Sequence, residues 1–178
     1  LVSWWNLDSA VAPDYTAGPA ESAHELAEPS NMTGLILDEH DTTFTELSVT
    51  NGDFTSGSGT TITGWTNTNS QWTRVGDTVV SGTSAELLSQ SSVTDNGSAH
   101  KIVVRAKNTV ADSIAQLQVY IGANNHATYN LTNDFADYEY HGIQQDDEGI
   151  HVYNANSADM TIDSVKVYQY DGNVGLLV

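Results

Sequence analysis

From Thr43 to Tyr170 the chain never sustains a 3.6-residue apolar period for more than two turns. It runs instead through short segments rich in Val, Ile, Thr and Tyr. These are Phe44 to Thr50, Gln71 to Val75, Ala85 to Val93, His100 to Lys107, Ile114 to Gly122, Ala127 to Leu131, Asp137 to Ile143, Gly149 to Asn154 and Met160 to Tyr170. Between them stand clusters with turn chemistry, among them Thr55-Ser56-Gly57-Ser58-Gly59, Asp95-Asn96-Gly97, Gly122-Ala123-Asn124-Asn125 and Asp146-Asp147-Glu148-Gly149. Segments this short bury an apolar face by pairing into sheets. Evenly spaced strands with no helices between them predict an all-β fold, a jelly-roll β-sandwich of eight or nine strands. A chain of 178 residues is long enough for one such core, and with no cysteine it must hold without disulfides.

Residues 1–46 differ from the rest. They carry nine acidic residues, no Lys or Arg, and all three prolines, Pro13, Pro19 and Pro29. This composition predicts an acidic, extended N-terminal arm, with the sandwich over 47–170 and a tail over 171–178. The arm opens on an apolar segment with adjacent tryptophans, and Trp4, Trp5 and Leu7 are candidates for contact with a neighbouring subunit. The chain begins at Leu1 and stops at Val178, which reads as a piece of a longer polypeptide.

The clearest two-faced strand is Ile114 to Gly122. Leu117, Val119 and Ile121 point one way, while Gln116, Gln118 and Tyr120 point the other. Tyr138 and Tyr140 share a face, with Glu139 and His141 opposite; Ile150 and Val152 oppose His151 and Tyr153. One sheet face is therefore expected to carry amides, tyrosines and histidines. Sugar binding needs flat rings for C–H faces and amides or carboxylates for hydroxyls. Gln116, Gln118 and Tyr120 supply these, with Tyr138, Tyr140 and Trp72 as expected neighbours. The same residues also suit a face that meets a sister subunit. Trp65, after Gly64, reads as core.

Charge excludes several partners. Five basic residues against 23 acidic ones leave −18, a field that repels phosphate backbones, so nucleic acid is not an expected partner. No apolar run approaches about 18 residues, so membrane insertion is not expected. The chain has no Gly-x-Ser-x-Gly elbow, no cysteine nucleophile and no phosphate-binding Gly-rich loop, and no enzymatic activity is expected.

Asn51-Gly52-Asp53-Phe54, Gly64-Trp65, Gln90, Tyr120 and the closing Ile162-Asp163-Ser164-Val165-Lys166-Val167 together resemble carbohydrate-binding modules of the jelly-roll type, near families four, nine and twenty-two. The resemblance spans residues 47–170. It implies that Phe54 and Trp65 are core, that the closing strand lies beside the opening one, and that a structural calcium sits at that junction. By position Asp163 is the calcium-ligand match, with Asp53 near the corner. The family usually has Glu after the Phe, where this chain has Thr55. The opening Leu-Val-Ser-Trp-Trp-Asn-Leu-Asp resembles modules in bacteriophage surface proteins. Together these resemblances imply a non-catalytic virion surface module, a head decoration or tail fibre. It would assemble with other virion subunits or with itself, as a trimer for example, and bind cell-surface glycans outside the cell. The rival setting is a carbohydrate-binding module appended to a secreted polysaccharide-degrading enzyme.

Overall fold

The structure is a computed structural model that describes residues 35–37, 44–82, 87–111, 113–123, 125–171 and 174–176. The strands in chain order are β1 (Leu35–Leu37), β2 (Phe44–Leu47), β3 (Gly57–Ser58), β4 (Thr61–Ile62), β5 (Thr66–Asn67), β6 (Trp72–Val75), β7 (Thr78–Ser81) and β8 (Leu87–Gln90). They continue with β9 (Ala99–Asn108), β10 (Gln116–Ile121), β11 (Asn125–Asn130), β12 (Ala136–Ile143), β13 (Ile150–Asn154), β14 (Met160–Tyr170) and β15 (Val174–Leu176). Two antiparallel sheets form the sandwich. One has five strands in the order β11-β10-β13-β8-β5; the other has six, β12-β9-β14-β7-β6, with β2 also pairing β14. This is the all-β jelly-roll sandwich that the sequence predicts. It has more strands than expected because β3, β4 and β5 are two-residue strands in Gly/Thr-rich stretches and β7 is only four residues long.

The core lies between the sheets. Leu117, Val119 and Ile121 of β10 and Ile150 and Val152 of β13 face Ile102 and Val104 of β9 and Ile162, Val165 and Val167 of β14, all buried. The period-two alternation puts their neighbours on the outer faces. Burying a side chain of this size stabilises the fold by roughly 1.5–3 kcal/mol. β1 pairs β15 antiparallel, Leu35 opposite Leu176, so a segment of the arm and one of the tail run side by side.

The opening corner is a closed hydrogen-bonded unit. Asn51 accepts from Ser56 N (2.8 Å) and donates to the carbonyls of Ser56 (2.9 Å) and Thr63 (3.0 Å). Its own carbonyl accepts from the Trp65 indole at 3.2 Å. Phe54 and Trp65 are buried with ring centroids 5.5 Å apart. Gln90 ties the corner to β8: it accepts from Thr50 N (2.8 Å) and donates to Thr50 O (2.9 Å) and Gly64 O (3.0 Å). Val165 N donates to Gly52 O at 2.8 Å, which joins the opening corner to the closing strand. Core placement of Phe54 and Trp65, and the closing strand beside the opening one, follow the expectation from the resemblance.

The turn chemistry of Asp146-Asp147-Glu148-Gly149 does not close a hairpin between neighbouring strands: residues 144–149 follow β12 and precede β13. They cross from β12 in one sheet to β13 in the other, so His141 and His151 lie in different sheets. Gly149 takes φ +80°, and a Cβ there would stand 2.3 Å from Gln90 O, so only glycine fits the crossing.

Candidate functional site

The outer face of the five-stranded sheet is a grid set by strand register. In one row His126 of β11 lies opposite Tyr120 of β10, Tyr120 opposite His151 of β13, and His151 opposite Ser89 of β8. In the next row stand Thr128, Gln118, Tyr153 and Leu87, and beyond them Asn130 and Gln116. The structure thus brings Gln116, Gln118 and Tyr120 together on one face.

Their side chains form a connected system. The Tyr120 hydroxyl donates to Gln118 Oε1 at 2.7 Å, and Gln118 Nε2 donates to Thr128 Oγ1 at 3.1 Å. Gln116 Nε2 reaches Asn130 Oδ1 at 3.3 Å. The Tyr120 ring stacks on His126 with centroids 4.5 Å and planes 23° apart, and meets His151 at 6.2 Å. Burial, and then the neighbouring Tyr153, push the Tyr120 hydroxyl pKa up, so it stays protonated and keeps its bond to Gln118.

Beside this grid lies a recess of about 270 Å³ lined by Leu87, Tyr120, Ala123, Glu148, His151 and Tyr153. Its rim is held by Asp146. That carboxylate accepts from Ala123 N at 2.8 Å and from Glu148 N at 3.0 Å, and these two amides hold its pKa below the ordinary value. Gly122, φ +69°, packs so close that a Cβ would be 2.5 Å from Asp146 Oδ1. Asp146 therefore locks the β10–β11 turn to the 144–149 crossing and sets Glu148 at the recess. Rings, amides and one carboxylate on a single face are the groups that sugar recognition uses.

No family model matches the sequence, and no curated protein matches it. Among solved structures the chain is similar to the family 22 xylan-binding domain of Xyn10C from Paenibacillus barcinonensis. The TM-score is 0.51 and identity 14%, with 68% of this chain and 94% of that chain covered. The fold is that of a carbohydrate-binding module. A family 29 carbohydrate-binding module aligns at TM-score 0.45 and 14% identity, over 72% of this chain and 88% of that one.

Measured on this module-like fold, three of the expected face residues belong elsewhere. Trp72 is fully buried on the inner side of the six-stranded sheet, where β6 turns it toward the core rather than the rim. Tyr140 is 2% exposed and Tyr138 packs against the same core, because β12 pairs β9 and not a strand of the five-stranded sheet. Trp4, Trp5 and Leu7 lie outside the described residues. Sequence reasoning missed His126, Leu87 and the part played by Glu148. His126 was within reach, since counting back across the β10–β11 turn pairs it with Tyr120.

The residues at the junction do not fit a calcium ion. Asp163 is the extra residue at a bulge in β14, and its carboxylate pairs with Arg105 Nε at 3.4 Å. Asp53 accepts from the Thr55 hydroxyl at 3.0 Å. Carbonyls of the corner are held by Arg74, whose guanidinium donates to Phe54 O (2.5 Å), Thr55 O (2.7 Å) and Gly57 O (3.3 Å). Among the described residues no three acidic or histidine side chains group as a metal site.

Proposed function

We propose that this chain is a non-catalytic glycan-binding module, and that sugar binds on the outer face of the five-stranded sheet around Tyr120. The observation that carries the proposal is the convergence of the Tyr120 and Tyr153 rings and the Glu148 carboxylate at one recess, with the Gln118 amide bonded to the Tyr120 hydroxyl beside it. The fold supports it, since that fold is shared with a xylan-binding domain. Affinity electrophoresis against soluble xylan, β-glucan and mannan tests it. Retardation by at least one neutral or amino-substituted polysaccharide is expected; unaltered mobility in every gel, including one with a deacetylated amino-sugar polymer, overturns it.

The setting we infer is a virion surface, as a homo-oligomer. This part rests on the sequence of Leu1 to Asp8 and on the acidic, cysteine-free composition. Size-exclusion chromatography with light scattering tests it: a trimer or larger assembly supports it, and a clean monomer favours the enzyme-appended setting.

A further inference from the structure

At the recess beside Tyr120 an imidazole nitrogen and a carboxylate oxygen stand together with no hydrogen bond between them. In the tautomer that carries its proton on Nδ1, the neutral His151 ring has its lone pair on Nε2. Among the described residues Nε2 has no hydrogen-bond partner, and it faces Glu148 Oε2 across 3.8 Å. Burial pushes the His151 pKa down against the pull of Glu148 and Asp146, so the ring is neutral near pH 7. In that tautomer the lone pair and the carboxylate oxygen repel at this separation, and a donor inserted between them satisfies both. The Glu148 side chain is 60% exposed, so it can swing outward to admit one.

The surroundings select the donor. A hydroxyl brings one proton and no charge, whereas an ammonium brings three protons and a positive charge that the carboxylate attracts. The walls are the rings of Tyr120 and Tyr153, whose faces attract cations. The groups facing His151 are Tyr120, Tyr153, Glu148 and, through its charge, Asp146, none of them cationic. All five Lys and Arg residues lie on the other sheet: Arg74 on β6, Lys101, Arg105 and Lys107 on β9, and Lys166 on β14. No Lys or Arg stands on the five-stranded sheet.

We propose that the recess takes the protonated amine of an amino sugar, so that the module prefers glycans with free amino groups over neutral or N-acetylated ones. The amine enters between His151 Nε2 and the Glu148 carboxylate, with the sugar ring against Tyr120. This inference rests on the glycan-binding reading above.

Calorimetric titration with glucosamine trisaccharide, N-acetylglucosamine trisaccharide and a neutral xylo-trisaccharide tests it on the whole chain. Short ligands and about 0.5 M salt suppress attraction by the net charge of the protein as a whole. The expected result is binding of the free-amine sugar at least about tenfold tighter than its acetylated form. Glu148→Gln is expected to erase that ratio while keeping the fold, as read by an unchanged melting temperature. Equal affinities for the three sugars, or a preference unchanged in Glu148→Gln, overturn the amine proposal and leave the glycan reading standing. Absence of binding to any of them, together with unaltered mobility in all the affinity gels, overturns both.

Discussion

Tyr120 is held between two imidazoles on neighbouring strands, stacked on His126 at 4.5 Å and tilted toward His151 at 6.2 Å. Its hydroxyl is fixed by Gln118. A ring positioned this way is oriented before ligand arrives, which lowers the cost of ordering it on binding. His126 is exposed and contributes little to the core. His126→Ala should therefore weaken glycan affinity about threefold to tenfold, on the scale of one aromatic pair, and leave the melting temperature unchanged. A calorimetric titration beside a thermal melt checks both halves.

Trp72 and Tyr120 make opposite predictions. Trp72 is fully buried, and truncating a buried Trp to Ala costs about 3–5 kcal/mol. Denaturant unfolding of Trp72→Ala should show a loss of that size. Tyr120→Ala should shift the midpoint much less, because its side chain lies on an outer face.

Arg74 holds the opening corner together. Its guanidinium satisfies the carbonyls of Phe54, Thr55 and Gly57 while its side chain is only 20% exposed. Arg74→Met should destabilise the fold by about 1.5–3 kcal/mol, the range for hydrogen bonds to a charged group. The unsubstituted protein should melt at the same temperature with calcium and with chelator. A chelator-induced drop would mean that Asp163 binds metal in preference to Arg105.

Two histidines make stability fall in mild acid. Burial pushes the His100 pKa below 6.5, with Ser98 and Asp95 opposing only in part, and His151 is shifted the same way. A group whose folded pKa is lowered binds its proton first in the unfolded chain. Stability is therefore intact above pH 6.5 and declines as pH falls from there through the folded pKa values. Asp146, held low by two amides, adds a loss only below its ordinary 3.8. Melting temperatures measured from pH 8 to 4 should show the first decline, and His100→Gln should flatten part of it; an unchanged slope would exclude His100 as its source.

The sequence made parity legible but not pairing. Alternation along β10 put Gln116, Gln118 and Tyr120 on one side correctly, because each inward neighbour is aliphatic and fully buried. The same rule rightly gave Tyr138 and Tyr140 one face. It carried no information on which sheet β12 joins, and that long-range choice sends both tyrosines inward. β6 defeats the pattern outright: Trp72 and Arg74 turn inward while Val75 is 57% exposed. Arg74 points inward because the corner carbonyls need a donor, a demand set by a loop twenty residues upstream. The acidic turn at Asp146 hid its role for a similar reason, since its partner Ala123 lies on a distant turn.

The central claim is that the outer face of the five-stranded sheet binds sugar, and calorimetric titration of Tyr120→Ala and Tyr168→Ala with the best-retarding glycan tests it most directly. Tyr168 is an aromatic on the outer face of the opposite sheet, under the Lys101 ammonium at 4.9 Å. Tyr120→Ala is predicted to lose at least about tenfold in affinity, or roughly 1.4 kcal/mol, while Tyr168→Ala binds as the unsubstituted protein does. Unchanged binding by Tyr120→Ala, with loss in Tyr168→Ala, would place the site on the other face and contradict the account.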